Sequence, residues 1–453
     1  MNIEDILQLE PFEKQIAALC RKQDGKDVTK WRAQYEGIHD ILKRKIKIVG
    51  TGQNRREVPR AKEVLPFQKK ITDTAVSFVF GEPVKLVLNT GEDSLAEAFK
   101  LIQDTWKQNK LDYINRQLMR TVCIESEAAE LWYAVREKGR KTRVKVVLLS
   151  EATGNKIYPH LNEFGDMDAF TRRYELEDVY GRKHEHIDIY TADTIISGVR
   201  RQQWEIEEKP NLFGKIPVIY YCQDRPEWAD VQSLIDRLEM LISKHADTND
   251  YYGSPMIKLR GRLVAMPDKT EDGKMLQFSA DENTQTGEIE YGDAEYLTWD
   301  HSPESIKLEV ENLKEFIYSM TATPDISFNN IKGVGNVSGI ALRFMFLDSL
   351  LKAKGKQEIY GTGLTRRINL LKAILSVVDV KQAANLEKLD ISVEFGNPLP
   401  ENIQDIIQTL ALARPGEPIM SKETAVRYNP FVNDPIAEIA LMKHEQGQTA
   451  ALQ

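Results

Sequence analysis

A glycine-rich stretch is the first feature of this sequence that could bind a ligand. Gly333-Val-Gly335-Asn-Val-Ser-Gly339 fits a GxGxxxG spacing, in which glycines let backbone amides approach a pyrophosphate. A dinucleotide-binding turn must follow a buried strand, however, whereas the segment before this one has a helical pattern that ends at Pro324. The context therefore argues against a nucleotide site. A nucleotide- or nucleic-acid-processing enzyme that uses Gly333, Gly335 and Gly339 remains the alternative.

Two other patterns have the residue types of a catalytic or metal site. His184-Glu-His186 would place two imidazoles on one side of a strand, but no third ligand lies nearby in the sequence. Adjacent carboxylates such as Glu207 and Glu208 have no partners that would mark an acid and a base. The sequence also contains no GxxxxGK[ST], HExxH or GxSxG motif. We assign no catalytic residue, no metal and no cofactor, and predict that the protein is not an enzyme.

Composition limits the class of protein. The 453 residues carry a formal net charge of −8, which argues against a protein that grips nucleic acid over a broad surface. The cysteines Cys20, Cys123 and Cys222 are far apart, so we expect neither disulfides nor a zinc site. No apolar run approaches the about 20 residues needed to span a bilayer, and the first residues lack a basic signal-peptide region. We predict two to four structural units, made in the cytosol, with no membrane partner.

The elements that must position any site are an α+β first half followed by long helices. Strand patterns cover 131–137, 143–149, 184–191, 194–199 and 203–208, and helical periodicity covers 227–249 and the segment from Pro303. A further long helix is expected from about Ser338 to Asp379, with a kink at Gly355, Gly361 and Gly363. A basic run at 43–47 reads as a solvated face. The predicted fold class is α+β, mainly helical.

The pattern of residues 253–302, between the two shorter helical patterns, predicts a β-rich insert. Basic and acidic residues are separated along it. It begins basic, with Lys258, Arg260 and Arg262, and ends acidic, with Asp293 and Glu295 among others. Such segregation is compatible with chance on a solvated surface. It is also what head-to-tail docking of identical copies needs, because a heterologous contact joins two different faces.

The order of these parts resembles the portal proteins of tailed bacteriophages, in particular the SPP1-like family. Each matching stretch is short, but their order is specific. They are Phe-Gly-Glu-Pro-Val at 80–84, Asn-Leu-Phe-Gly-Lys-Ile-Pro-Val at 211–218, Val-Ser-Gly-Ile-Ala-Leu at 337–342, Ser-Lys-Glu-Thr-Ala at 421–425 and Asn-Asp-Pro-Ile-Ala-Glu at 433–438.

The resemblance implies a protomer with a wing at 1–225, stem helices at 226–252 and 303–323, and a clip at 253–302. It also implies a tunnel loop at 324–337, a long kinked helix with a wing return strand at 338–400, and a short helical crown at 401–453. Family members form a ring, expected here to be a dodecamer, at one vertex of the virion capsid. The ring would be assembled in the host cytoplasm and would conduct double-stranded DNA without sequence specificity during packaging and ejection.

The resemblance further implies partners and site residues. The partners would be other copies of the chain, the terminase large subunit, a head-completion or adaptor protein, and the major capsid and scaffolding proteins. The tunnel-loop candidates are Asn329, Asn330, Lys332, Gly333, Val334, Gly335 and Asn336. The basic candidates for contact with DNA or an acidic neighbour are Arg237, Lys244, Lys258, Arg260 and Arg262. A helical scaffold protein with no role at DNA is a further alternative.

Overall fold

The structure is a computed structural model, and its description covers most of the chain. The described residues are 2–21, 26–49, 55–90, 93–136, 142–252, 256–260, 263–265, 277–279, 281–282, 289–290, 292–297, 303–325, 344–399, 403–412, 420–429, 431–432, 435 and 438–444. These residues fall into two compact units, 1–74 with 117–323 and 75–116 with 324–453.

Two antiparallel sheets form the β part of the first unit. A three-stranded sheet has the order β11-β4-β5, and a five-stranded meander has the order β10-β9-β8-β7-β6. The strands are β4 Glu127–Val135, β5 Arg143–Leu149, β6 Asn155–Leu161, β7 Met167–Glu177, β8 Lys183–Tyr190, β9 Thr194–Arg200, β10 Trp204–Pro210 and β11 Val218–Cys222. Apolar residues of the two sheets share a core that includes Leu131, Phe170 and Val218.

Short N-terminal helices cover the meander. These are α1 Ile3–Leu7 and α2 Phe12–Leu19, whose buried apolar residues pack against Ile187 and Ile189 of β8. The approach is close at Gly198 of β9, where an added Cβ would lie 3.2 Å from the ring of Phe12 and 2.9 Å from Ile187. A helix α3, Val28–Glu36, and a two-stranded hairpin follow, formed by β1 Lys47–Val49 and β2 Arg56–Val58.

A pair of antiparallel helices completes the first unit. It consists of α7 Gln232–Tyr252 and α8 Pro303–Met320, and we call it the helical pair. The described strands of the insert between them are β12 Met256–Arg260, β13 Leu263–Ala265, β14 Gln277–Phe278, β15 Asp281–Glu282, β16 Ile289–Glu290 and β17 Asp293–Leu297. Strand β12 pairs with β17, so the insert begins and ends in one antiparallel ladder.

The second unit is mainly helical. Its longest element is the 32-residue helix Leu347–Val378. This helix packs against the helices Ala383–Lys388 and Ala96–Gln108 and against the strand Ile391–Glu394. In chain order the unit's elements are β3 Lys85–Leu88, α5 Ala96–Gln108, α9 Leu347–Val378, α10 Ala383–Lys388, β18 Ile391–Glu394, α11 Ile403–Leu412 and α12 Lys422–Arg427. Strands β3 and β18 pair with each other. Helices α4 Phe67–Phe80 and α6 Leu111–Glu125 contribute residues to both units.

The predicted fold class, α+β and mainly helical, is confirmed. Most predicted elements are present, but β6 and β7 were not predicted. Helix α6 ends at Glu125, because Ser126 has φ 67° and the chain turns into β4. Helix α9 continues without a break through its three glycines, and the kink predicted there stays a prediction.

Among the described residues, no helix is both long enough and apolar enough to cross a bilayer.

Candidate functional site along the helical pair

The first half of α7 and the second half of α8, which we call the inner halves of the helical pair, are anchored by buried apolar side chains. Ile235 and Leu238 of α7 and Ile317 of α8 are fully buried. They belong to one cluster with Trp228 and with Phe67 of α4. The spacing of these residues, three and four apart on each helix, gives each helix one apolar face, and the two faces meet in this core. This core therefore holds the two helices together and against α4.

An extended strap crosses one side of α7 and is held by polar contacts. Backbone N–H groups at every second residue of the strap, 61–65, donate to side-chain oxygens spaced four residues apart on α7. The bonds run from Ala61 to Asp247 at 2.7 Å, from Glu63 to Ser243 at 2.9 Å and from Leu65 to Glu239 at 2.8 Å. Two extended residues span about 6.6 Å and four helical residues about 6 Å, so the two repeats stay in step. This match fixes the position of the strap along α7.

A buried histidine–glutamate pair lies at the inner end of the strap. His39 Nδ1 is 2.5 Å from Glu239 Oε1, and both side chains are almost completely buried. His39 Nε2 lies 2.7 Å from the carbonyl oxygen of Gln34, which can only accept. Burial lowers the pKa of His39, but the hydrogen bonds to Glu239 and Gln34 and the nearby negative charges outweigh it, so the pKa is raised. The geometry therefore favours a charged imidazolium clasped between α7 and α3.

A second acid, Asp236, lies one turn before Glu239 on α7. Burial raises the pKa of Asp236, which a hydrogen bond from Gln232 opposes and the charges of Glu239 and Asp40 reinforce. The Gln232 amide donates to Asp236 at 2.8 Å. The inner end of α7 thus concentrates negative charge, which stabilises the positive form of His39.

The outer end of α7 is tied by an arginine. Arg44 makes an ion pair of 2.6 Å with Asp247 and donates at 3.0 Å to the carbonyl oxygen of Ala61. The same arginine therefore holds both the helix and the strap. It belongs to the basic run 43–47, so the interpretation of that run as a wholly solvated face is wrong at Arg44, whose side chain is 8% exposed.

Helix α8 ends in a fixed cap directly before the predicted tunnel loop. The N–H of Thr323 donates to the carbonyl oxygen of Tyr318 at 2.9 Å, and the N–H of Ala322 donates to that of Ser319 at 3.0 Å. Ala322 has the left-handed φ of 49°. This is the Schellman arrangement, and the buried hydroxyls of Thr321 and Thr323 bond to each other at 2.9 Å. The chain therefore enters the loop from a defined position and direction.

The predicted basic residues that the structure describes lie on α7 and on strand β12 of the insert. Arg237 is paired with Glu309 of α8 at 2.6 Å and 3.0 Å, so its charge is locally balanced. Lys244 is exposed on α7. Lys258 and Arg260 are exposed on the same side of β12, since alternate residues of a strand share a side.

The register of the insert gives a local explanation for its segregated charge. Lys258 lies opposite Glu295, and Arg260 lies opposite Asp293. Opposite charges on directly paired residues stabilise a two-stranded ladder. The segregation therefore serves strand pairing within the chain at these positions, and it does not by itself require a second copy.

Several predicted site residues lie outside the described residues. These are Arg262 and the whole set Asn329, Asn330, Lys332, Gly333, Val334, Gly335 and Asn336. Their roles stay predictions. The two histidines considered as a metal pair are otherwise engaged, since His184 lies 3.2 Å from Asp178 and His186 stacks on Tyr174. In the described part of the chain no three potential ligands converge on a metal site.

The sequence reasoning missed the strap and the histidine–glutamate pair. Glu239 interrupts the apolar run 238–242 of α7. An acid at a position that the pattern predicts to be buried is a signal that it has a partner. That partner, His39, is 200 positions away in the chain, and nothing in the sequence pattern connects the two residues.

Comparison with known proteins gives a family and several relatives. The model described as phage portal protein, SPP1 Gp6-like, matches residues 19–451. The portal protein of Bacillus phage SPP1 is 24% identical over 301 residues, which cover 62% of this chain and 58% of that protein. The chain thus spans little more than half the length of this curated relative in the alignment.

Two solved structures are similar at low sequence identity. A chain in the virion of a native gene transfer agent particle has a TM-score of 0.39 and 10% identity, covering 89% of this chain and 94% of that one. A chain in the neck of an empty gene transfer agent particle has a TM-score of 0.38 and 10% identity, covering 80% and 88%. The family match confirms the resemblance found in the sequence, and because it extends over nearly the whole chain, this protein belongs to the SPP1-like family of phage portal proteins.

Proposed function

We propose that this chain assembles into a ring at one vertex of a phage capsid and conducts double-stranded DNA through the channel of the ring. The observation that carries the proposal is the family match over residues 19–451. The order of a helical pair, an insert between its helices, a glycine-rich loop and a long helix supports it. In this assignment the helical pair is the stem, the insert is the clip, and 324–337 is the tunnel loop.

The composition of the tunnel loop suits contact with a moving polyanion. Between Pro324 and Gly339 the only ionisable side chains are Asp325 and Lys332, and the remainder is rich in asparagine, glycine and apolar residues. Affinity for DNA without sequence preference comes mainly from neutralised phosphates. A loop with little charge therefore touches DNA without retaining it, and the capped end of α8 gives the loop a firm attachment.

The same proposal assigns partners. Neighbouring copies would pack around the stem in a dodecamer, and the clip would bind the terminase large subunit during packaging and a head-completion or adaptor protein afterwards. Major capsid and scaffolding proteins would contact the wing. The protein would act as a structural conduit without catalytic activity, and would be assembled in the bacterial cytoplasm before it becomes part of the virion.

Electron microscopy of the purified chain tests the ring. We expect closed rings with a central channel viewed along the axis. A monomer at every concentration, or nucleotide binding that Gly335→Asp abolishes in a protein that forms no ring, would contradict the proposal and favour the enzymatic alternative.

A packaging assay tests the role of the loop. Deletion of residues 329–336 should leave ring assembly intact and impair the packaging or retention of DNA. A replacement of the same residues by glycine and serine, at equal length, separates loop length from side-chain chemistry. Normal packaging by the deletion variant would show that the tunnel-loop assignment is wrong and would favour a scaffold role.

A further inference from the structure

The side chain of Tyr318, in the last turn of α8, is held by two residues of α4. The ring centroids of Phe67 and Tyr318 lie 5.7 Å apart. Lys70 Nζ lies 4.3 Å from the centroid of the Tyr318 ring and donates a hydrogen bond of 2.8 Å to its hydroxyl. Phe67 and Lys70 are three residues apart in the sequence, so they are neighbours on the surface of α4. We call these three residues the lysine–tyrosine clamp.

The part of α4 that carries the clamp is fixed by apolar burial. Phe67 and Ile71 are buried. Both belong to the cluster that contains Leu313 and Ile317 of α8. Protein cores are packed as densely as organic crystals, so the residues of such a cluster do not shift independently. Lys70 therefore extends from a backbone segment whose position is set by its buried neighbours.

The backbone of Tyr318 connects the clamp to the end of the helix. Its carbonyl oxygen accepts the hydrogen bond of 2.9 Å from Thr323 in the α8 cap. Thr323 is buried and precedes Pro324, and a residue before proline is restricted to extended conformations. Ala322 has the left-handed φ of 49°, and such strain persists only where the surroundings over-determine the backbone. A shift of Tyr318 would therefore move the residues from which the predicted tunnel loop begins.

The two contacts of the clamp restrain different motions. The apolar contact with Phe67 is nearly non-directional, so it opposes separation of the two rings but not rotation of Tyr318. The hydrogen bond from Lys70 depends on angle as well as on distance, and the cation is attracted to the face of the ring. Lys70 thus fixes the orientation of Tyr318 that Phe67 leaves open.

We propose that Lys70 is a positioning residue for the tunnel loop. Through Tyr318 it fixes the last turn of α8, so that the loop leaves the helix in one direction while DNA passes. This inference rests on the proposed function, because the end of α8 has this task only if residues 324–337 line the channel. A clamp that serves only the stability of the fold is the alternative that the test must exclude.

A packaging assay with the full-length chain tests the role of Lys70. Lys70→Met keeps most of the length of the side chain and removes its charge, and it should lower the packaging rate at least about threefold while rings still form. Tyr318→Phe keeps the ring, loses only the hydroxyl and should show a smaller reduction. Lys69→Met is the matched control, because Lys69 lies over the ring of Tyr35 in α3, 5.8 Å from its centroid, and this variant should package normally. Electron microscopy measures ring formation, and urea denaturation confirms that each variant is folded.

The same substitution in a chain with an altered loop separates positioning from stability. When residues 329–336 are replaced by glycine and serine, Lys70→Met should cause no further reduction of the packaging rate, because the loop that it positions has lost its side chains. An equal fold reduction with the native and the altered loop would overturn the proposal in favour of a purely structural contact.

The outcomes also separate the positioning role from the proposed function. If wild-type rings do not form, or if the loop deletion packages normally, the proposed function or its loop assignment is wrong, and the positioning role with it. If both hold and Lys70→Met packages at the wild-type rate, the positioning role alone is wrong. Should Lys70→Met fail to fold, Tyr318→Phe decides by the same two comparisons, with the native loop and with the altered one.

Discussion

Helices α7 and α9 are both long and both have fully buried apolar residues, but the contacts on their remaining sides differ. One side of α7 is fixed by directional polar contacts from the strap and from His39. Helix α9 instead buries an apolar face that includes Tyr360, Leu364, Ile368 and Leu371, and it packs against α5, α10 and β18. Its one fully buried charge, Arg367, donates to Asn115 at 2.7 Å.

Apolar burial and directional polar contacts position a helix with different precision. Apolar burial is nearly non-directional, so it stabilises α9 without fixing its position along its axis to a fraction of a turn. The polar contacts on α7 form only in one register and one rotation, because each acceptor must meet one N–H group. A helix that carries the insert, and that would lie against neighbours in the proposed ring, benefits from such a fixed register.

Removal of the central acceptor on α7 should give the largest effect. Glu239→Ala leaves His39 and the N–H of Leu65 without their acceptor inside the protein, and loss of one partner of a buried ion pair costs about 3–5 kcal/mol. Urea denaturation at fixed protein concentration measures the free energy of unfolding. Asp250→Ala, at an exposed acid on the same helix, is the control and should change it by less than about 0.5 kcal/mol. Equal effects of the two substitutions would show that the contacts of Glu239 with His39 and Leu65 do not position α7.

Truncation in the core of α9 should give the next largest effect. Leu371 is fully buried, and replacing a buried leucine by alanine costs about 2–4 kcal/mol through lost transfer energy and the cavity left behind. Val377→Ala, at a side chain 42% exposed, is the matched control. The loss at Leu371 should be the same at pH 6 and pH 9, since no titrating group is involved. A pH-dependent loss would break the contrast between the two helices.

Alkaline pH should weaken only the contact between His39 and Glu239. The pKa of His39 is raised above its ordinary value of 6.5, so the folded state binds a proton more tightly than the unfolded state. Its contribution is therefore complete below about pH 6.5 and is lost as the pH rises through the raised folded value. The protection factors of α7 amides, which compare the exchange rate with the intrinsic rate at each pH, should fall over that range in the wild type and should stay constant in His39→Gln. The pKa of Asp236 is also raised, so its contribution is complete below its ordinary value of 3.8 and is lost as the pH rises through the raised folded value.

Much of this fold could be predicted from the sequence where one periodicity dominates. The helical pair and α9 have apolar residues at intervals of three and four, and the Pro303 start and the Ser421 cap are local signals; Ser421 Oγ accepts from the N–H of Thr424 at 3.1 Å. Strand β7 could not be predicted in this way, because its consecutive residues Ala169, Phe170 and Thr171 are all buried and show no alternation.

The remaining misses have long-range causes. Strand β6 contains Pro159, which usually argues against a strand, and it is accommodated at the edge of the meander. The strap contacts on α7 join residues 174 to 186 positions apart, and no local pattern encodes them. The family resemblance supplied the order of the parts, whereas the contacts that position α7 required the structure.

A substitution in the cap that ends helix α8 should have the smallest effect on the free energy of unfolding. Ala322 holds the left-handed position of the α8 cap with φ 49°, a conformation that costs a non-glycine residue about 1 kcal/mol or more. Ala322→Gly should therefore raise the free energy of unfolding by about 0.5–1 kcal/mol, after the greater flexibility of glycine in the unfolded chain is included. Ala246→Gly, the same chemical change within α7, is the control and should lower it by about 1 kcal/mol. Urea denaturation measures both changes. Opposite signs would show that the cap geometry before the predicted tunnel loop is fixed by its surroundings, whereas destabilisation at both positions would mean that the left-handed turn is not formed.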